Sequence, residues 1–291
     1  MTAPTLSAPG VIDITATSAR PQVTLTYVTA IATGGTVVEY NDGTSDWIAH
    51  IFDASDDFIV NTAVDVEYLV LAGGGSGGGQ GYSGGGGAGG YRSSVQTETS
   101  GANSTAEAVK SMSPGTYPVV VGAGAPGTTS GASLATSRLA TDSSFDGIVA
   151  IAGGSGGCHN GGFRDGDDGG SGGGAGRENG SGGIGTVNQG NNGASAGGIT
   201  NATGGGGGAS AAGTAGDGTI GGNGGDGLQS AITGTLIWYA GGGAGNIEGT
   251  HGQGSAALGS HAPANSGSGS SGGNSEDNGG SGKVVIRYLA P

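Results

Sequence analysis

Several features that usually stabilise a protein or attach it to a partner are scarce in this sequence. The 291 residues include a single cysteine, Cys158, so an intramolecular disulfide framework is excluded. Only 8 residues are Lys or Arg, against 22 Asp or Glu, and the formal net charge is -14. A chain with so few cations offers no basic surface for phosphates. We therefore expect no nucleic acid and no anionic membrane surface among its partners.

Long apolar segments are also missing. The longest apolar run is far too short to cross a bilayer, so we expect no membrane insertion. The N-terminus MTAPTLSAPG has neither the basic nor the apolar region of a secretory signal. If the protein acts outside a cell, we expect it to leave by another route, such as lysis.

Glycine is what the chain has in excess. Of its 74 glycines, 70 lie between Gly73 and Gly282, about one residue in three. This is the glycine fraction of collagen, but collagen's triplet period and proline content are absent. A flexible Gly/Ser linker is the simplest alternative. Strand-like islands at 117–121, 148–151 and 236–239 argue against a linker.

The apolar residues are concentrated at the front, where 21 of the 47 Val, Ile, Leu and Phe residues lie within the first 72 positions. Short alternating stretches separated by turn residues, such as Asn41-Asp42-Gly43, are typical of a β-meander. Sustained helical periodicity is absent, and 105–110 is the only candidate helical turn. The predicted fold class is all-β, with strands at 23–28, 36–40, 47–52 and 58–60.

Two strong strand patterns border the glycine-rich part. VEYLVLA at 66–72 comes directly before it and KVVIRYL at 283–289 directly after it. We predict that these strands lie in one sheet and frame everything between them. The predicted organisation is an N-terminal β attachment region at 1–49 and a glycine-rich domain at 50–291.

Glycine in an ordered segment loses much backbone entropy and offers no side chain to pack, so runs of it must gain something from the missing Cβ. Polyproline II geometry has three residues per turn and no internal hydrogen bonds, so its N–H and C=O groups can bond to adjacent helices. Only glycine lets such helices approach closely. We therefore predict that 84–90, 169–176, 204–208 and 221–227 belong to a bundle of polyglycine II helices. Inter-helix N–H···O bonds and weak Cα–H···O contacts would hold it within a small β-sheet or sandwich frame.

A resemblance to a known family is carried by eight ordered pieces, which include HIFDASDDFIV, VEYLVLAGGGSGGG, SPGTYPVVVGAGAPG, ITGTLIWYAGGGAG and GGSGKVVIRY. On these pieces the chain resembles the glycine-rich domain of many bacteriophage tail and tail-fibre proteins, over roughly His50 to Tyr288. It looks similar in construction to the receptor-binding adhesins of T-even-like phages, whose glycine runs form a polyproline II bundle with specificity loops at its exposed end. A comparable module occurs in the ectodomain of anaplastic lymphoma kinase. The chain departs from this pattern where Ala, Ser, Thr and Asn dilute its glycine runs.

This resemblance implies a tail-fibre or tail-associated adhesin of the virion that binds a host cell-surface protein or glycan. Its other partners would be phage tail or fibre proteins, and a homo-oligomer in the virion is possible. The protein would be made in the host cytoplasm and released by lysis. The alternative is a non-catalytic structural virion component, such as a fibre shaft, a baseplate part or a capsid decoration protein. An ice-binding protein is a third alternative, against which the absence of a repeated Thr ladder argues.

Recognition is the function that we expect of the loops, because loops at the end of a rigid scaffold often carry binding residues. Aromatic, His and Arg side chains are the usual anchors. The alternative is that these loops are solvated turns without a target. The candidate receptor-binding residues are His159, Asn160, Phe163, Arg164, Asp165, Arg177, Ile247, His251 and His261.

No convincing catalytic, cofactor or metal motif accompanies these residues. At this glycine content, G-x-G-x-x-G matches arise by chance. The calcium nonapeptide pattern at 221–229 occurs once, although that motif works in tandem copies. Asp165, Asp167 and Asp168 suit turns better than a cation site. Cys158-His159 lacks the spacing of a zinc site and a group to orient a catalytic pair. We therefore expect no enzyme, no cofactor and no metal.

Overall fold

The computed structural model describes residues 12–16, 23–27, 30–79, 81–127, 139–159, 163–198, 201–218, 220–246, 249–254, 261–273 and 277–291. Within these ranges there is no α-helix, and strands alternate with long segments that have no regular assignment. The all-β prediction is confirmed. One 3-10 turn occurs at Gly101–Asn103. The helical turn predicted at 105–110 is wrong, because Thr105 ends one strand and Lys110 begins another, each held by a cross-strand pairing.

The larger sheet has six antiparallel strands: β4 (Thr36–Asn41), β5 (Asp46–Phe52), β7 (Val64–Leu71), β8 (Tyr91–Ser93), β11 (Lys110–Met112) and β17 (Lys283–Leu289). Its main path runs β11-β7-β17-β5-β4. β8 pairs with the C-terminal residues of β7, Leu69 to Leu71.

The second sheet has five antiparallel strands in the order β14-β13-β12-β6-β3. They are β3 (Ala32–Thr33), β6 (Asp56–Val60), β12 (Gly115–Val120), β13 (Ser143–Phe145) and β14 (Ile148–Ala150). Three separate two-stranded ladders are formed by β1 (Ile12–Ala16) with β2 (Val23–Tyr27), β9 (Thr99–Ser100) with β10 (Ser104–Thr105), and β15 (Leu228–Ser230) with β16 (Ile237–Tyr239).

The two bordering strands pair as the sequence predicts. β7 and β17 are antiparallel neighbours, with Leu69 opposite Val285, so the chain leaves the larger sheet and returns to it across the glycine-rich part. β3 pairs with β6 in the second sheet, β4 pairs with β5 in the larger sheet, and position 49 lies inside β5. Residues 30–49 therefore belong to the sheet framework. The attachment role of residues 1–49 stays a prediction.

Burial on both faces explains why the bordering strands read as nearly continuous apolar runs. One face of the larger sheet packs against the second sheet through Val70, Val284, Phe58 and Phe145. The opposite face carries Leu69, Leu71 and Val285, and packs against alanines and tyrosines of the glycine-rich part. That cluster includes Ala88, Tyr91, Ala209, Tyr239 and Ala240. The larger sheet is therefore a middle layer between the second sheet and the glycine-rich part.

The glycine-rich part consists of long segments that run back and forth beside one another and bond through their backbones. In segment 84–90 the acceptors repeat every third residue. Gly84, Gly87 and Gly90 donate to the carbonyls of Gly157, Gly154 and Ile151. Gly85 and Ala88 donate to Gly204 and Gly207, and Gly86 and Gly89 donate to Ser270 and Gly267. Each segment of this kind can therefore bond to three neighbours at once.

Segment 204–209 repeats the pattern. Gly204 and Gly207 donate to Ala175 and Gly172, Gly205 and Gly208 donate to Thr214 and Ala211, and Gly206 and Ala209 donate to Gly243 and Ala240. Acceptor numbers that fall as the donor numbers rise, as from Gly157 to Ile151, indicate an antiparallel neighbour, and numbers that rise, as from Gly204 to Gly207, indicate a parallel one. Segment 84–90 therefore has neighbours of both kinds. We call these mutually bonded segments the glycine bundle: 72–79, 83–90, 151–158, 169–176, 190–196, 202–209, 211–216, 221–227, 239–246 and 266–273.

The missing side chains are what allow this packing. A Cβ placed on Gly206 would lie 2.0 Å from the carbonyl oxygen of Gly86, and one on Gly85 would lie 2.1 Å from that of Gly243. These distances are far inside van der Waals contact. Some alanines and serines of the bundle, such as Ala88 and Ser171, are fully buried, whereas Ser195 and Ala215 in its outer segments are exposed. The glycine pattern therefore specifies which segments contact each other backbone to backbone.

Candidate functional site at the distal loops

The bundle has one end at the larger sheet and one end away from it, which we call the distal end. Ala72 follows β7 and donates to Gly90 at the sheet end, while Gly79, at the other end of the same segment, bridges to Gly273. Residues 81–82, 158–159, 163–165 and 176–180 lie at the distal end. Their backbones meet there: Cys158 donates to Phe163 at 2.7 Å and Arg177 donates to Tyr82 at 3.2 Å.

A stacked pair forms the centre of the distal loops. The rings of Tyr82 and His159 have centroids 5.6 Å apart and planes inclined by 28°. Nη1 of Arg177 lies 3.3 Å from Nε2 of His159. Because a guanidinium only donates, Nε2 must accept, and the neutral ring then carries its proton on Nδ1. Desolvation and, secondarily, the charge of Arg177 lower the pKa of His159, which agrees with a neutral imidazole.

Glu178 joins two arginines beside this stack. Its Oε1 lies 2.8 Å from Nη2 of Arg177, and its Oε2 lies 3.6 Å from Nη1 of Arg164. Arg164 also approaches the backbone carbonyl of Glu178, at 3.3 Å. Glu178 and Asn179 adopt positive φ values of 50° and 59°, in the left-handed region that tight turns use. The turn thus places one carboxylate between the two guanidinium groups.

Two polar atoms in this cluster have no hydrogen-bond partner within the described chain. They are Nδ1 of His159 and Nε of Arg177, and both are buried. Buried polar atoms without a partner are uncommon, and five others occur elsewhere in the described residues. Phe163 lies beside the cluster with 48% of its surface exposed. The distal loops therefore combine an exposed aromatic ring, an aromatic-histidine stack and two arginines.

The structure brings together His159, Phe163, Arg164, Asp165 and Arg177 of the predicted residues. Tyr82 and Glu178 belong to the same cluster, and sequence reasoning had not selected them. Tyr82 had a usable signal, because it is the one aromatic residue in the short break between two glycine runs. Asn160 and Ile247 lie outside the described residues.

His251 and His261 do not join the cluster. His251 lies along the side of the bundle, since its neighbours Thr250 and Gly252 donate to the side chain of Asn223 and the carbonyl of Gly242. Nδ1 of His261 accepts from the backbone N–H of Asn278 at 2.9 Å. His261 lies beside Gly124 and Gly280, away from the distal loops.

The aspartates of the distal loops and of the bundle edge bind backbone amides. Asp165 accepts from Ser181 at 2.7 Å and Asp168 accepts from Ile184 at 2.6 Å. Asp226, in the calcium-like nonapeptide, accepts from Gln253 at 2.8 Å. Within the described ranges no group of three or more His, Cys, Asp or Glu side chains could hold a metal ion. In the same ranges no helix is long and apolar enough to cross a membrane.

Comparison with known proteins agrees with the composition of the bundle. A search of curated proteins found no match. Residues 54–289 match the family described as a glycine-rich domain, and this range covers most of the chain, from β6 to the end of β17. The chain therefore belongs to the glycine-rich domain family.

Proposed function

We propose that the segments of the glycine bundle are polyglycine II helices and that they form a stiff rod beside the sheets. The supporting observation is the three-residue repeat of hydrogen-bond acceptors in 84–90 and 204–209. A helix with three residues per turn and no internal hydrogen bonds directs successive N–H groups toward three neighbours in turn. A flexible linker would have no reason to keep such a repeat through several segments.

We further propose that the protein is a bacteriophage tail-fibre or tail-associated adhesin, a non-catalytic component of the virion. The distal loops would contact a protein or glycan on the host cell surface, and the sheet end would face other tail or fibre proteins. The observation that supports this proposal is the cluster of Tyr82, His159, Phe163 and Arg177 at the tip of a bundle whose interior has almost no side chains. Aromatic and arginine side chains are the residues that most often dominate binding energy at interfaces.

The position of the cluster suits attachment. Loops carry variable binding residues best when a rigid scaffold positions them. Here Cys158, Gly176 and Arg177 are tied by backbone bonds of 2.7 to 3.2 Å to the neighbouring loops, so little ordering should be needed on binding. Release of the protein by lysis and its incorporation into a tail complete the proposal.

Cell binding and competition would test it. The purified chain is labelled with a fluorophore and mixed with a panel of bacterial strains, and cell-bound fluorescence is measured by flow cytometry. On a strain that it binds, the unlabelled chain should block adsorption of the phage whose virions contain it. Immuno-electron microscopy with an antibody to the chain would locate it in those virions.

Matched variants would assign the binding surface. Tyr82→Ala and Arg177→Ala should each weaken cell binding by about 30-fold, the effect of losing roughly 2 kcal/mol at an interface anchor. Ile59→Ala, a change at an exposed position of β6 in the sheet framework, should bind as the wild type does. Equal loss in all three variants would contradict an assignment to the distal loops.

The structural alternative predicts a different result. A fibre-shaft, baseplate or decoration protein would be found in the virion by microscopy, yet the purified chain would leave phage adsorption unchanged on every strain. That combination would overturn the adhesin proposal and leave the polyglycine II proposal intact.

A further inference from the structure

A groove of about 580 Å³ lies on the flank of the molecule, beside the β15–β16 hairpin and on the sheet side of the bundle. Ile51 of β5 and Lys283 of β17 contribute to its walls, so it lies far from the distal loops. Its volume falls within the range of about 300–1,000 Å³ that is usual for small-molecule sites. The other residues that line it are Thr233, Ile237, Trp238, Tyr239, Gly254, Pro263, Ala264, Asn265 and Ser266.

Trp238 is the exposed aromatic residue of this groove, since 38% of its surface is exposed and Tyr239 is buried. Its neighbour Tyr239 points into the apolar cluster below the hairpin, and successive strand residues face opposite sides. The second tryptophan is fully engaged: the guanidinium of Arg287 lies 4.0 Å from the Trp47 ring centroid, and Asp42 accepts from its indole N–H at 2.7 Å. Within the described residues, Trp238 has no comparable aromatic or cationic partner.

Amide groups border the exposed ring. Gln229 does not line the groove itself, but it is the cross-strand partner of Trp238, and directly opposed residues of an antiparallel pair lie on the same face with Cβ atoms about 5 Å apart. Oδ1 of Asn265 accepts from the Ser281 hydroxyl at 3.0 Å, which leaves the Asn265 side-chain amide nitrogen as a donor. Planar amides of this kind can donate and accept in one plane, as vicinal hydroxyl groups require.

The groove carries no free charge. Its one ionisable lining group besides Tyr239 is Lys283, and the ammonium of Lys283 is paired with the Asp53 carboxylate. The chain as a whole carries a net charge of -14, which repels acidic ligands. A neutral ligand with one apolar face and several hydroxyl groups matches this combination of an indole, aliphatic walls and amides.

We propose that the groove beside Trp238 is a binding site for a ring of a neutral sugar, with the apolar C–H face of the pyranose on the indole and its hydroxyl groups on Gln229 and Asn265. The aromatic ring supplies apolar area and a negative face for the weakly positive C–H groups. This site is separate from the distal loops and does not depend on their proposed role.

Saturation-transfer NMR on the whole chain tests the proposal. The probes are methyl α-glucoside, methyl β-galactoside and N-acetylglucosamine, with glucuronate as the acidic comparison and cyclohexanol as an apolar ring without several hydroxyl groups. At least one neutral sugar should show saturable transfer to its ring C–H protons, with a dissociation constant of about 1 mM. Glucuronate should bind at least about ten-fold more weakly, since it carries a charge.

Variants decide where the sugar binds. Trp238→Ala should weaken binding by at least about ten-fold, and Gln229→Ala by several-fold, whereas Leu236→Ala should leave binding unchanged. Leu236 is the matched control, since it lies two residues away, is 59% exposed and does not line the groove. The fluorescence of Trp238 in a Trp47→Phe background gives a second readout of binding for the Gln229 and Leu236 variants. Guanidinium unfolding followed by the fluorescence of Trp47, which every variant keeps in the wild-type background, checks that each variant folds.

Three outcomes would overturn the proposal. The first is that no neutral sugar gives saturable transfer. The second is that Trp238→Ala, folded by the same criteria, binds as well as the wild type. The third is that cyclohexanol binds as well as the sugars, which would make the groove an apolar surface for a protein. None of them bears on cell binding through Tyr82 and Arg177.

Discussion

Replacement of Gly206 by alanine should destabilise the protein severely, although alanine normally improves a glycine position. Where the backbone allows it, a Gly→Ala change stabilises a protein by about 0.4–1 kcal/mol through the unfolded chain. At Gly206 the new Cβ would lie 2.0 Å from the Gly86 carbonyl oxygen, whereas real Cβ contacts below 3.0 Å essentially do not occur. The two segments would have to separate by at least about 1 Å, the difference between these distances.

That separation has a calculable cost. Gly85 donates to Gly204 at 3.1 Å, and Ala88 donates to Gly207 at 2.9 Å, so both bonds bridge the two segments that must separate. Each buried donor or acceptor that loses its partner costs about 1–3 kcal/mol. With two bonds at risk and the small gain from alanine subtracted, we expect a loss of about 2–5 kcal/mol.

A graded series of glycines makes the test decisive. A Cβ on Gly197 would lie 2.9 Å from the Gly216 carbonyl oxygen, and one on Gly115 would meet only the Tyr117 ring at 3.6 Å. Gly115→Ala should therefore be neutral or stabilising by about 0.5 kcal/mol, and Gly197→Ala should fall between the other two. Guanidinium unfolding, followed by tryptophan fluorescence, gives the free energies.

The reasoning is wrong if the three variants do not show this order of stabilities. Equal stability of the Gly206 and Gly115 variants would mean that the bundle adjusts freely and that backbone contact does not hold it. If Gly206→Ala is insoluble, the comparison of Gly197→Ala with Gly115→Ala still decides. A Gly197 variant at least as stable as the Gly115 variant would contradict the argument.

Three further predictions concern the framework and the bundle edge. Burial, partly offset by a hydrogen bond to the Gly34 carbonyl, lowers the pKa of His50, so the unfolded chain binds the proton more readily. Stability should be full above about pH 6.5 and fall as pH drops below it. Guanidinium midpoints should lose part of this dependence in His50→Gln, and the part that remains belongs to His159, whose pKa is also lowered. Glu67→Ala should lower the free energy of unfolding by about 3–5 kcal/mol in the same assay, because it leaves the buried Arg287 guanidinium without its carboxylate partner. Replacing both residues by Leu should recover much of the loss. Asp168→Ala should cost only about 0.5–1.5 kcal/mol and speed amide exchange at Ile184, since that bond is solvent-exposed; unchanged exchange would count against the capping role.

How much of the fold the sequence predicts depends on the length of each apolar pattern. β5, β7 and β17 have seven or eight residues each, and their Val/Ile/Leu content identifies them without ambiguity. β8 and β13 have three residues each, and their sequences YRS and SSF carry no periodic signal. These strands exist because β7 and β12 offer backbone partners. Tertiary contact, and not local preference, creates them.

The same reasoning explains the partial success at the candidate site. Arg164, Arg177 and His159 were selected because they interrupt glycine runs, and the structure places them together. Tyr82 was not selected, because its contact with His159 spans 77 positions of sequence and depends on how two segments lie side by side. His261 was selected by the same rule but lies elsewhere, because a chain that runs back and forth visits both ends of the bundle. The sequence marks the turns without giving the end at which each one lies.

The packing of the bundle also restricts where recognition residues can occur. Most glycines of the interior segments lie so close to neighbouring backbone that a Cβ is excluded, so a side chain added at one of these positions costs stability. Side chains are free to vary only at the turns between segments, at the outer edge, and where a hairpin such as β15–β16 interrupts the glycine pattern. The distal cluster lies at turns, and Trp238 lies on that hairpin. Both proposed contacts therefore occupy positions where a residue can change without disturbing the bundle, which is the property that binding to a variable cell surface requires.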